Sequence, residues 1–269
     1  MTAVSMRKAL DVKGTDAVMT AAQDQATRNG YRVVIAVVDA WGHVLQLRRT
    51  DGAQAPSDRV AIDKARTAAI FVRPSRPALT GGIPLTVDGE VIGAIGTSGE
   101  TPDQDESVSL AGARASFSTT DVPALTREGA QMAAEAAAAV ATARGVWPVV
   151  AVVDAGGELM HLWRPDLAQV ASVQVATDKA RTAALYRRPS KDFEDQAAHG
   201  RPSALHLARA VPLQGGMPIV HGGHVAGAVG VSGASSAGED QELSELAADA
   251  ASAAARDGAG KAGPRRRSR

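Results

Sequence analysis

The residues Asp63-Lys64-Ala65-Arg66-Thr67-Ala68-Ala69 return as Asp178-Lys179-Ala180-Arg181-Thr182-Ala183-Ala184, 115 positions later. The same offset carries Ala36-Val37-Val38-Asp39-Ala40 onto Ala151-Val152-Val153-Asp154-Ala155. It also carries Leu10 onto Leu125, Ser57 onto Ser172, and Arg73-Pro74-Ser75 onto Arg188-Pro189-Ser190. A chain that repeats itself at this spacing folds as two copies of one domain, because the period is a domain's length and not a solenoid unit's.

Each copy reads in the same order. Leu10 to Asn29 is Ala- and Gln-rich without proline, a helix closed by Gly30. Tyr31 to Val38 is a β-branched run that predicts a buried strand, and Asp39-Ala40-Trp41-Gly42 a turn returning Val44 to Leu47 as its hairpin partner. Ser57 is read as the N-cap of a helix through the signature, ending before Pro74. Leu85–Val87 and Val91–Thr97 flank Asp88-Gly89, a two-residue hairpin turn, and a helix from about Asp103 to Phe117 follows. Ser118 to Pro123 reads as a linker. The second copy gives a helix over 125–144, strands Val149–Val153 and Glu158–Trp163, and a helix over 172–186. The copies differ after Ser75 and Ser190: the second carries 19 extra residues within Lys191–Leu213, including His199 and His206. Hairpins leave no room for crossover helices, so each copy is expected to be an α/β (α+β) sandwich with an antiparallel sheet flanked by helices. The domains are 1–118, with a shortened middle segment, and 124–257, followed by a disordered basic tail over 258–269.

The charge balance of 29 basic against 29 acidic residues hides an asymmetry: five basic residues and no acid follow Asp257, leaving residues 1–257 at −5. With eight aromatic residues in the chain, that body offers nucleic acid neither a basic field nor a stacking surface. The absence of cysteine excludes disulfides, thiolate catalysis and zinc sites with sulfur ligands. No stretch approaches the roughly 18 apolar residues of a membrane span, and Met1 to Leu10 lacks a signal-peptide core. A cytoplasmic protein, with no nucleic-acid or membrane partner, is expected.

The order AVVDAxG, DKARTAA, GGxP, DG turn and GAxGxSG resembles the GlcG/HbpS family, which includes the C-terminal domain of PduO-type proteins. The resemblance covers nearly all of both copies. It implies tandem profilin-like domains, assembly into dimers and larger oligomers, and a haem or other tetrapyrrole ligand in several members. Self-association is expected through the pseudo-dimer that a tandem copy builds into one chain.

Read residue by residue, Asp63 lies one helical turn before Arg66, while Lys64 points elsewhere on the helix. Arg66 and Arg181, with Lys64 and Lys179, are candidates to hold the carboxylates of an anionic ligand, since a guanidinium grips a carboxylate bidentately. The alternative is an internal Asp63–Arg66 pair. Gly81-Gly82 and Gly215-Gly216 precede strands and leave backbone N–H groups free for a ligand, or serve as plain turns. Gly93, Gly96 and Gly99, repeated as Gly227, Gly230 and Gly233, lie in a strand and read as close packing. His206, in the segment unique to the second copy, or Lys179 is the acid–base candidate if the protein is an enzyme. Asp39 and Asp154 read as turn residues, and Asp105 and Asp240 as cap or dipole partners of the last helix. His221 and His224 flank a Gly-Gly turn without a third ligand, so no metal site is expected.

Neither Leu10–Asn29 nor Leu125–Arg144 contains a histidine to ligate haem iron, leaving Met19 and Met132 there. No cofactor is required, and haem stands as what the resemblance implies. The reading is a small-molecule-binding protein with a pocket for an anionic, partly planar ligand. The alternative is a cofactor-free acid–base enzyme, an isomerase, lyase or hydro-lyase, with one working pocket in the second copy and Arg181 as oxyanion partner. A purely structural assembly role for the duplicated helix is the third.

Overall fold

The computed structural model describes residues 2–77 and 79–259. In chain order the first half holds β1 (Val4–Leu10), α1 (Val12–Asn29), β2 (Val34–Asp39), β3 (Val44–Arg49), α2 (Ser57–Ile70), β4 (Gly82–Val87), β5 (Glu90–Ser98) and α3 (Pro102–Ala113). The second repeats it as β6 (Thr119–Leu125), α4 (Arg127–Arg144), β7 (Val149–Asp154), β8 (Leu159–Trp163), α5 (Ser172–Tyr186), α6 (Lys191–Ala198), a 3-10 turn (Pro202–His206), β9 (Gly216–His221), β10 (His224–Ser232) and α7 (Ala237–Ala259). The helix thus takes in the first two residues of the expected basic tail, 258 and 259; the tail from Gly260 on lies outside the described residues.

Each repeat is a four-stranded antiparallel sheet, ordered β3-β2-β5-β4 in the first and β8-β7-β10-β9 in the second. The middle of each central strand is apolar because both faces are covered. On β2, Val33, Ile35 and Val37 face Val18, Met19 and Ala22 of α1. Val34, Ala36 and Val38 face the alanines of α2. Alternation therefore vanishes from the sequence although the side chains still alternate in space.

The signature helix lies unusually close to its sheet. A Cβ on Gly96 would meet the backbone of Ala61 and Ala65, and one on Gly230 the backbone of Ala176 and Ala180. The strand glycines and the helix alanines are thus one feature: small residues on both partners let α2 and α5 seat their backbones against β5 and β10.

Residues 118–123, expected as a linker, fall largely in β6, which pairs with β1 in a two-stranded sheet. The chain divides into Lys8–Asp121 and a unit that takes the chain from Val122 together with its first residues through Arg7. In that second unit Thr126, the N-cap of α4, donates its N–H to the Ala3 carbonyl at 3.0 Å and its hydroxyl to the Thr2 carbonyl at 2.8 Å. In Lys8–Asp121 the same place is served by Ser118, whose hydroxyl donates to the Asp11 cap of α1 at 2.6 Å. That bond and the Gly14 N–H hold the Asp11 carboxyl below its usual range. Ser57, expected as an N-cap, is the first residue of α2; Pro56 precedes it, and no side chain caps the helix.

Candidate functional site

The duplicated helix spends its lysines inward. Lys64 Nζ donates to Asp105 Oδ2 at 2.7 Å and to the Thr97 carbonyl at 2.8 Å. Lys179 repeats this with Asp240 Oδ2 and the Val231 carbonyl, both at 2.9 Å. All four ionic side chains are buried. Burial pushes the Asp105 carboxyl up, against the opposing pull of the Lys64 ammonium and the Glu100 N–H. Lys64 and Lys179, taken in the sequence as ligand or proton-transfer groups, are instead bolts between a helix and the following layer. Asp105 and Asp240 are the other ends of those bolts, beyond their expected cap role.

The arginines also turn to the protein. Arg66 Nε donates to the Gly42 carbonyl and Arg181 Nε to the Gly157 carbonyl, each at 2.9 Å. The Asp63–Arg66 and Asp178–Arg181 pairs are present at 3.8 and 3.7 Å. Each arginine braces the hairpin turn beside its helix. In those turns Asp39 Oδ1 accepts from Trp41 and His43 N–H, and Asp154 Oδ1 from Gly156 and Glu158 N–H, all at 2.9 Å, which is the turn role expected.

Three of the four N–H groups of the glycine pairs are occupied. Gly82 N–H donates to Ser75 Oγ at 2.8 Å and Gly216 N–H to Ser190 Oγ at 2.9 Å, while Gly215 N–H donates to Gln241 Oε1 at 2.7 Å. Gly81 and Gly215 have φ of 117° and 108°, a left-handed conformation, and a Cβ there would come within 3.2 and 3.0 Å of the Lys64 and Lys179 ammonium groups. Glycine is required by the turn and by the neighbouring lysine, so these three N–H groups do not face a ligand.

The segment unique to the second repeat packs on its own helix. Phe193 is fully buried and meets Tyr186 edge-on at 4.9 Å, and Tyr186 Oη donates to the Ala208 carbonyl at 2.7 Å. His206 ends the 3-10 turn in solvent, and His199 is exposed with its Nδ1 2.7 Å from the Asp195 carbonyl oxygen. Neither histidine shares a site with Lys179, which is sealed beneath the sheet. His221 and His224 face each other in the β9–β10 register beside their turn.

A different place has the character of a site. A cavity of about 340 Å³ opens between α4 and β8, lined by Ala134, Glu135, Ala138, Ala139, Thr142, His161 and Trp163. His161 and Trp163 alternate onto one face of β8, and both are half-buried. Among the described residues neither the imidazole nor the indole N–H has a hydrogen-bond partner. Glu135 stands at the rim, accepting from Gln131 Nε2 at 2.7 Å. The first repeat is furnished differently at the corresponding positions. Met19, at the position of Ala134, is fully buried in the core. Gln46, at the position of His161, donates to Asp16 Oδ1 at 3.0 Å, and Arg48, at the position of Trp163, lies 3.9 Å from the same carboxylate. One helix face has been thinned to alanine and its strand refitted with two aromatic rings.

The family model described as "Haem degrading protein HbpS-like" matches residues 10–114 and 125–249. This chain belongs to the HbpS-like family. Both tandem repeats of the HbpS-like chain carry the match. Protein GlcG of Escherichia coli K12 is 41% identical over 86 residues, which cover 32% of this chain and 64% of GlcG, short of two thirds of its length. An uncharacterized 15.0 kDa protein from the dhaT-dhaS intergenic region of Citrobacter freundii is 33% identical over 114 residues, covering 41% of this chain and 80% of that protein. Among solved structures, HbpS aligns at 32% identity and a TM-score of 0.46 over 48% of this chain and 92% of that one. A PduOC:heme complex aligns at 26% identity and 0.43, covering 47% and 94%.

Proposed function

We propose that this HbpS-like chain is a small-molecule-binding protein whose working site is the α4–β8 cavity of the second repeat, taking one compact, planar, largely apolar ligand per chain. The observation that carries this is the asymmetry of the repeats: where the first has Met19 in its core and Gln46 and Arg48 turned to Asp16, the second has Ala134, His161 and Trp163 along a cavity. An apolar space with a few polar groups in its wall is the usual composition of a ligand site.

Haem is the group that the family description brings to mind, and the cavity does not suit it. Its volume is near the bottom of the roughly 300–1,000 Å³ range of small-molecule sites. A haem also carries two carboxylates, and the only charged group in the lining is the acid Glu135. His161 supplies an imidazole of the type that ligates iron, but nothing in the lining neutralises the propionates.

The acid–base enzyme reading loses its residues, since Lys179 is consumed in a buried pair and His206 lies in solvent. Titration with 3-methylindole, followed by amide chemical shifts, tests the site. Saturable shifts confined to α4 and β8, at one molecule per chain, are expected. Shifts that never saturate, or that centre on another surface, overturn the reading. Haemin added in the same way is expected to give no saturable, shifted Soret band.

A further inference from the structure

Resting on that site, we infer that the α4–β8 cavity selects a cationic aromatic ligand: a flat ring system carrying an ammonium group, with Glu135 as its counter-ion. The lining divides by chemistry. Ala134 and Ala138 give a floor of methyl groups, and Trp163 gives an indole face. Such walls take an aromatic ring of any charge. What sets the charge is the rest of the lining, where a single carboxylate stands and no lysine or arginine does.

Glu135 is well placed for this task. It is exposed at the rim, so its ionised form keeps its hydration and carries no burial cost until a ligand arrives. Gln131, one helical turn before it, donates to Oε1 and leaves Oε2 to accept from a second donor. An ammonium group in the same cavity is attracted by the negative face of the Trp163 ring as well as by the carboxylate. The His161 ring and the Thr142 hydroxyl add hydrogen-bonding groups to the wall. An anionic ligand of the same shape meets the carboxylate of Glu135 with nothing to offset it.

The first repeat differs at each of these points. Thr20 stands at the place of Glu135, Gln46 at that of His161 and Arg48 at that of Trp163. An acid on the helix and two rings on the strand therefore occur together only where the cavity does. The cation preference belongs to the second repeat alone.

Three probes with one ring system separate the charge from the shape: tryptamine as the cation, 3-methylindole as the neutral ring and indole-3-acetate as the anion. Affinities come from the amide shifts of α4 and β8. Tryptamine is expected to bind about fivefold more tightly than 3-methylindole, the range that an exposed ion pair with a cation–π contact supports, with indole-3-acetate weakest. In Glu135→Gln the ratio of tryptamine to 3-methylindole affinity falls to about one, and raised salt narrows it in the native protein. Equal affinities, or indole-3-acetate binding most tightly, overturn the charge preference while leaving the cavity a binding site. If none of the three shifts α4 and β8, both the preference and the proposed site are wrong.

Discussion

Lys64 Nζ lies 2.7 Å from Asp105 Oδ2, and both side chains are sealed from solvent. Lys179 and Asp240 reproduce the pair at 2.9 Å. Removing one partner leaves the other as an uncompensated buried charge, at a cost of about 3–5 kcal/mol. Lys64→Met is therefore expected to lower unfolding stability by that amount in urea titration. The double variant Lys64→Met with Asp105→Asn is expected to recover most of it, since the amide still accepts from the Glu100 N–H. A double variant as unstable as the single one contradicts the account.

The seating of α5 on β10 gives a second prediction. Gly230→Ala places a methyl group against the Ala176 carbonyl, which is fixed helix backbone. The helix must lift, and overpacking of this kind costs about 1–3 kcal/mol. Gly238→Ala, whose new methyl meets nothing closer than 3.8 Å, is the control. Thermal unfolding should show a lowered Tm for the first and an unchanged one for the second.

How much of this was legible follows from where the information sits. Duplication, hairpins and flanking helices were readable because each is written in local residues. The Asp88-Gly89 turn, for example, has φ of 52° and 84° as its sequence predicts. The β1–β6 pairing was not readable, because its strands lie more than a hundred residues apart and neither has a strong apolar pattern. The lysine–aspartate bolts left a signal that does not name its cause: the charged residues are kept in both repeats, and a ligand site and a buried pair would each require that. The cavity was barely readable, since its decisive feature is the volume that Ala134 lacks. A comparison of the two first helices, Met19 against Ala134, was the available clue.

Arg144, in the last turn of α4, meets Glu242 Oε1 at 2.6 Å and Glu239 Oε1 at 3.5 Å on α7. Arg144 holds the Glu242 carboxyl below the usual glutamate value; Glu239 is lowered first by the Ser235 N–H and then by Arg144. Because the folded values are depressed, their contribution to stability is fully present above the unfolded value near 4.5 and is lost as pH falls through the folded values. Arg144→Gln should therefore be less stable than the native chain at pH 7, with the gap narrowing on acidification below about 4.5. Urea unfolding at a series of pH values measures it, and a gap that widens toward pH 3 contradicts the assignment.

The last prediction turns the first repeat's chemistry on the second. Met19 is fully buried where Ala134 instead borders the cavity. Ala134→Met gives the second repeat the side chain that its twin already accommodates, and the space to receive it is present. Filling a void with apolar atoms removes them from water, about 25 cal/mol for each Å² of apolar surface buried. The variant should unfold at a Tm equal to or above that of the native chain. Binding of 3-methylindole should weaken at least tenfold, because the ligand and the thioether compete for one volume. The combination is diagnostic: a misfolded variant loses binding and stability together, whereas a filled site loses binding alone. Retained affinity with a raised Tm would place the ligand elsewhere on the protein and remove the cavity from consideration.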